Sequence, residues 1–119
     1  MKSYKELEVY QLACQLAKEV HFISLQLPQQ EKYELGSQVR RSAQSVRANI
    51  PEGYGRRRYK KDFIHFLIQS HGSLLETISH LEMIMELYKS DLTDLINRYE
   101  NLGGKIYNFI QYVDLHWKS

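Results

Sequence analysis

QVRRSAQSVRANIPEGYGRRRYKK, running from Gln38 to Lys61, joins two helix-forming segments through a turn rich in glycine and arginine. Upstream of the turn, Leu35, Val39, Ser42, Ala43, Val46 and Ile50 recur at steps of three and four and share one helical face. Arg40 and Arg47, seven residues apart, stack beside that face. A third face carries Ser37, Gln38, Arg41, Ser45, Ala48, Asn49 and Glu52, whose small members allow another helix to come close. Proline lacks a backbone donor and restricts the residue before it, so Pro51 predicts a kink or an end to this helix, near Glu52. Gly53 and Gly55 are read as turn residues able to adopt positive φ.

The flanking chain extends the pattern. Leu7, Tyr10, Cys14, Ala17, Val20, Ser24 and Leu27 form one stripe of a first helix, which Pro28 stops, and QQEKYE reads as a polar connector. A third helix over Tyr59–Tyr88 carries Phe63, Phe66, Leu67, Ser70, Leu74, Ile78, Leu81, Met85 and Tyr88. Its length would be about 45 Å. Gly72 at its middle costs roughly 1 kcal/mol relative to alanine, a cost that a closely packed neighbour would offset. KSD is a turn, with Ser90 or Asp91 as the N-cap of a fourth helix through Leu92, Leu95, Ile96, Tyr99, Leu102, Ile106, Phe109, Ile110 and Val113. Gly103-Gly104 marks a bend or a tight contact in it. No period-two strand pattern occurs. Four amphipathic helices with short connectors predict an all-α, antiparallel up-and-down four-helix bundle, one domain over residues 1–119.

Charge is unevenly spread. Between Gly36 and Lys61, eight basic residues face the single acid Glu52, a local charge of +7 in a chain of net +2. The remaining residues therefore carry about −5, from 8 basic and 13 acidic side chains. A basic patch on an acidic body points to an anionic partner held at one place. Arg56, Arg57, Arg58, Lys60 and Lys61 crowd the start of the third helix, already the positive end of its dipole, and a bound phosphate would relieve both the crowding and the unpaired amides. Tyr54 and Tyr59 flank the arginines and offer rings for stacking on bases. The plainer reading is a solvated, solubilising loop.

Other chemistries find little support. His21, His65, His71, His80 and His116 are scattered without metal-ligand spacing, so no metal and no cofactor are expected. GYGRRR lacks the Gly-Lys-Ser/Thr of a phosphate-binding loop, and no Gly-x-Ser-x-Gly occurs. An enzyme is not expected. Cys14, the single cysteine, reads as a small packed side chain in a reducing compartment. MKSYKELEVY has acids where a signal peptide needs an apolar run, and no window reaches the length of a membrane span, so the expected location is cytoplasmic.

Five blocks carry a family resemblance. They are LEVYQ-x-A at Leu7–Ala13, P-x-x-E at Pro28–Glu31, L-x-x-Q-x-R-R at Leu35–Arg41, S-V-x-x-N-I-P-E-G-x-G-R at Ser45–Arg56 and F-x-x-F-L-x-x-x-x-G-S-L-x-E at Phe63–Glu76. Together, over about residues 4 to 113, they resemble the four-helix-bundle proteins encoded in intervening sequences of bacterial 23S ribosomal RNA genes. That family is similar to the accessory variability proteins of diversity-generating retroelements. Pro51 stands where the family more often has alanine. The resemblance implies a bundle that assembles into a homopentamer and a non-enzymatic role with RNA, DNA or a reverse transcriptase as partner.

Two functions follow as expectations. The first is a pentameric protein that holds a nucleic-acid backbone, with Arg40 and Arg47 as one wall and Arg56, Arg57, Arg58, Lys60 and Lys61 as the other. The second is an oligomeric scaffold for a protein partner. A polar cluster of Asn49, Glu52, Ser73 and Glu76, with Arg41 as the candidate partner of Glu76, is expected to hold the second helix against the third; the plainer reading is a solvated polar stripe. Ser45 and Ala48 are expected at a close helix contact, within or between subunits.

Overall fold

The computed structural model describes residues 3–118. A 3₁₀ turn at Tyr4–Glu6 leads into α1 (Glu8–Leu25), a single short turn α2 (Gln29–Lys32), α3 (Leu35–Gly55), α4 (Lys60–Tyr88) and α5 (Thr93–His116). Among the described residues there is no strand. Helices α1, α3, α4 and α5 pack as neighbours around one core, up and down, in a bundle of 48 × 22 × 20 Å. The QQEKYE connector thus contains one helical turn.

The core is a seam of alternating steps. On α4 the buried positions are Phe63, Leu67, Ser70, Leu74, Thr77, Leu81 and Ile84, spaced four and three throughout. That spacing is the knobs-into-holes pattern of nearly antiparallel helices. It replaces part of the expected stripe: Ile78, Met85 and Tyr88 pack beside the seam, half-buried, while Thr77 and Ile84 lie in it. Helix α1 buries Val9, Ala13 and Leu16 as well as the expected Ala17 and Val20, because it faces both α3 and α5 and needs a wider apolar surface than one stripe.

Helices α3 and α4 meet through small polar groups. Ser70 Oγ donates to the Val46 carbonyl at 2.6 Å. Thr77 Oγ1 lies 2.8 Å from both Ser42 Oγ and the Ser73 carbonyl, and Ser45 Oγ lies 2.7 Å from Ser73 Oγ. Ser42, Ser70 and Thr77 are buried, and each finds a partner, as buried hydroxyls require. Ser45 therefore does sit at the helix contact, whereas Ala48 is exposed.

Pro51 neither ends α3 nor limits it to Glu52: the helix continues to Gly55. A proline inside a helix costs about 3 kcal/mol. Here the last turn is held from outside, since Ile50, Gly53 and Tyr54 are all buried. Nor do the glycines supply positive φ; no glycine in the described chain has it, and the one left-handed residue is Lys89, which ends α4. Gly53 serves close approach instead. A Cβ there would stand 3.0 Å from Phe66 Cβ and 3.1 Å from the Phe63 carbonyl oxygen. Gly103 likewise meets Leu74, with 3.1 Å to its Cδ2, whereas Gly72 has no neighbour in the chain to offset its cost. Leu92 occupies the N-cap of α5, and the Asp91 carboxylate accepts from the Thr93 amide at 3.1 Å.

Helix α5 is tied to α1 by charge. Arg98 donates to both oxygens of Glu19, at 2.5 and 2.6 Å, and its Nε donates to Asp94 at 3.0 Å. The Arg98 hydrogen bonds hold the Glu19 carboxyl below the usual carboxylate range, against the opposing effect of burial. Tyr99, one residue on, is fully buried with its hydroxyl unpaired, and burial raises its phenol pKa.

Gly53→Ala should destabilise the bundle by about 1–3 kcal/mol through overpacking. Gly55→Ala, helical and with nothing within 4 Å of its Cβ, should gain up to about 1 kcal/mol. Urea melts of the two variants check the contrast, and equal responses would place Gly53 in open space.

Glu19→Gln gives a pH-dependent loss. A carboxyl with a depressed folded pKa contributes stability that is present above its unfolded pKa and disappears as pH falls through the folded value. The pair is over a third exposed, so solvent screening limits the loss at neutral pH to about 1 kcal/mol. The gap in melting temperature between wild type and variant should narrow as pH falls below the ordinary carboxylate range and close once folded Glu19 is protonated; a constant gap would remove the ionic origin.

Candidate nucleic-acid interface

The four residues Arg56–Tyr59 link the end of α3 to the start of α4. Their conformation is set by what lies beneath. Tyr54 is buried, edge-on to Phe63 at 6.3 Å and to Tyr4 at 6.4 Å. The Arg57 guanidinium covers its other side, 4.1 Å from the ring centre, and donates to the Tyr54 carbonyl at 3.0 Å. From α5, Trp117 Nε1 donates to the Arg57 carbonyl at 3.1 Å while its ring packs against Phe63 at 5.1 Å. Lys60 Nζ donates to the Asp114 carbonyl at 2.9 Å, a cation at the negative end of α5. The turn is thereby clamped to the body of the bundle.

Its cations differ in what they have left to offer. Arg56 pairs with Glu52 at 3.2 Å, both half-exposed, and lies 4.9 Å from the Phe66 ring centre. Arg58 is exposed, and among the described residues its guanidinium lies near the Tyr59 ring alone, at 6.0 Å. Lys61 is exposed and has no partner among the described residues. Arg56, Arg57, Arg58 and Lys61 are each on the exposed face of the turn or of the first turn of α4, and Glu52 pairs with Arg56. Asp62, one residue beyond the basic run, is the acid in the first turn of α4. Tyr54, expected to stack on bases, is too deeply buried to do so; Tyr59, 61% exposed, is accessible.

Arg40 is not part of this face. It sits 16 residues before Arg56, about 24 Å along α3. Its Nη1 donates to Ser24 Oγ at 2.8 Å and its Nη2 to the Lys32 carbonyl at 3.0 Å, tying α3 to α1 and α2. Arg47 lies between the two ends. Its Nε donates to Gln44 at 2.6 Å, and it lines a groove of about 540 Å³ between α1 and α3 with Tyr10, Cys14, Ala17, Lys18, His21 and Phe22. A hydrogen bond with the Cys14 thiol raises the Tyr10 phenol pKa, as does burial, while Arg47 acts in the opposite direction.

The family model described as 23S rRNA-intervening sequence protein matches residues 5–108. The chain belongs to the 23S rRNA-intervening sequence protein family. No curated protein matches it.

In this 23S rRNA-intervening sequence protein the expected polar cluster divides. Asn49 Nδ2 donates to the Ser45 carbonyl at 2.9 Å and lies 3.0 Å from Ser45 Oγ, so Asn49 and Ser73 join the serine–threonine ladder between α3 and α4. Arg41 is exposed and unpaired among the described residues, Glu52 belongs to Arg56, and Glu76 pairs with His80 at 3.2 Å on the solvent side of α4. The expected Glu76–Arg41 pair is absent because α4 turns Glu76 outward at that register. Trp117 and Lys60's carbonyl contact escaped sequence reasoning, since neither belongs to a periodic pattern. Among the described residues no cluster of His, Cys, Asp and Glu could hold a metal ion, and no helix is long and apolar enough to cross a membrane.

Arg40→Met should cost about 1–3 kcal/mol by removing the donor to the Lys32 carbonyl and one of the two bonds of Ser24 Oγ, which keeps its own bond to the His21 carbonyl. Arg41→Met, on free surface, should change stability by less than about 0.5 kcal/mol. Paired urea denaturation measures the difference, and equal effects would contradict the internal role of Arg40.

Proposed function

We propose that this protein is a non-enzymatic, homo-oligomeric nucleic-acid-binding protein that grips RNA or DNA backbone through the α3–α4 turn. The observation that carries the reading is the clamped turn itself: Arg57, Arg58 and Lys61 are exposed and have no carboxylate partner among the described residues, on a turn pinned by Trp117 and Lys60. Cations held rigidly and left unneutralised contribute phosphate contacts at little ordering cost. Lys60 stands beside them but spends its ammonium on α5, so Arg56, Arg57, Arg58 and Lys61 are the principal phosphate ligands. Arg47 joins them only along the α1–α3 groove. Family membership is consistent with a nucleic-acid-associated role. The protein would act in the cytoplasm.

Self-association is supported by the outer face of α4 and α5. Ile68 and Leu75 are more than half exposed around Gly72, and across a groove of about 320 Å³ stand exposed Tyr107 and Gly104. Neither Gly72 nor Gly104 has a neighbour within 4 Å of its would-be Cβ, so this surface admits a closely packed helix. A pentamer would present five basic turns and multiply a weak contact by avidity. The same surface favours a second reading, a scaffold for a protein such as a reverse transcriptase.

Replacing Arg56, Arg57 and Arg58 together by Gln should weaken single-stranded RNA binding across sequences. It should lower the logarithmic salt slope by about 0.7 per lost contact. Folding should be retained, because Trp117 and Lys60 still tie the turn to α5 and the relief of repulsion at a positive helix end offsets part of the lost Arg57–Tyr54 and Arg56–Glu52 contacts. Titrations at several salt concentrations, with light scattering to find five times the 14.2 kDa chain mass, form the test. Equal binding by wild type and variant would leave the scaffold reading.

A further inference from the structure

We propose that the groove between α1 and α3 holds one unstacked base of a single-stranded nucleic acid whose backbone continues onto the α3–α4 turn. The inference rests on the backbone-binding reading above and adds to it a site and a preference for single strands. The charged side chains lining the groove are Lys18 and Arg47, with no carboxylate among the lining residues, and His21 stands beside them. That is unexpected on a body whose charge outside the Gly36–Lys61 segment is about −5. Glu19, the acid next to Lys18, is turned away and bound to Arg98 of α5. The Lys18 ammonium and the two terminal nitrogens of Arg47 make no hydrogen bond within the described residues. Phe22 is 65% exposed with its ring edge-on to His21 at 5.5 Å, and among the described residues no other ring packs against it. Between the cations the floor is apolar, formed by Ala17 and the Tyr10 ring. An apolar floor, an aromatic wall and a cationic rim match a nucleobase with its phosphate. A volume of about 540 Å³ is ample for one base and within the range of small-ligand pockets. A duplex keeps its bases stacked and could enter only by flipping one out.

Continuity with the turn comes from the same side of the bundle. Tyr10 packs edge-on against Tyr4 at 4.9 Å, Tyr4 against Tyr54 at 6.4 Å, and Arg57 lies over Tyr54 at 4.1 Å. From Arg47 to Arg57, the arginine over Tyr54, is ten residues, about 15 Å along the α3 direction. That is about four steps of a stacked strand at 3.4 Å each.

The test is fluorescence anisotropy at low salt with three probes: a short RNA strand, the same sugar–phosphate strand lacking bases, and the matching duplex. Wild type should bind the base-bearing strand roughly tenfold more tightly than the abasic strand, and more tightly than the duplex. Phe22→Ala should bring that ratio close to one while leaving abasic binding, salt slope and melting temperature unchanged. Arg47→Gln should weaken both single strands. If wild type binds base-bearing and abasic strands alike, or Phe22→Ala keeps the ratio, the groove is not a base site. The backbone reading then still stands provided the Arg56, Arg57 and Arg58 triple variant weakens both strands. Failure of wild type to bind any strand overturns both.

Discussion

The close approach of α3 to α4 is the constraint on which the remaining geometry depends. Large apolar side chains would hold these helices apart. Here Ser42, Ser45, Ser70, Ser73 and Thr77 occupy the contact, and Gly53 lets the last turn of α3 reach Phe63 and Phe66. Small hydroxyls in such a contact would be destabilising if left unpaired, because a buried polar atom loses its water. They pair with each other or with carbonyls across and along the helices, so closeness and polar satisfaction are achieved by the same residues.

That closeness shapes the basic turn. With α3 continuing through Pro51 to Gly55 and α4 starting at Lys60, only four residues reverse the chain. A link this short has no freedom to fold its arginines away. Arg57 is drawn over Tyr54, Trp117 holds its carbonyl, and Lys60 reaches α5, while Arg58 and Lys61 are left facing solvent. The short link and its contacts to α5 set which of these cations are bonded within the bundle and which face solvent.

Along α3 the same residue type has three fates. Arg40 is consumed by Ser24 and the Lys32 carbonyl, Arg47 opens onto the α1–α3 groove, and Arg56 shares Glu52. Their helical stacking made Arg40 and Arg47 look like one wall, and they do share an edge. What separates them is the neighbour: near Arg40 the chain brings α2 and the end of α1 close enough to bond, and near Arg47 it does not.

The sequence by itself determined the class and the punctuation. The helical period, the stop at Pro28, the turn after Tyr88 and the concentration of charge before Lys61 are local properties of the chain, written in residue order. The tertiary structure decided matters that depend on who meets whom. Pro51 stayed helical because buried Ile50 and Tyr54 hold the turn after it. Gly53 and Gly55 kept negative φ because the first is needed for packing rather than turning. Thr77 replaced Ile78 in the seam because α4 is read by two neighbours at once, and a hydrophobicity scale does not register a hydroxyl that has a partner across the interface. Tyr54 was withdrawn from the surface, and Glu76 was set apart from Arg41, for the same reason. A side chain's orientation around its helix is local, but its burial and its bonding partner belong to the packing.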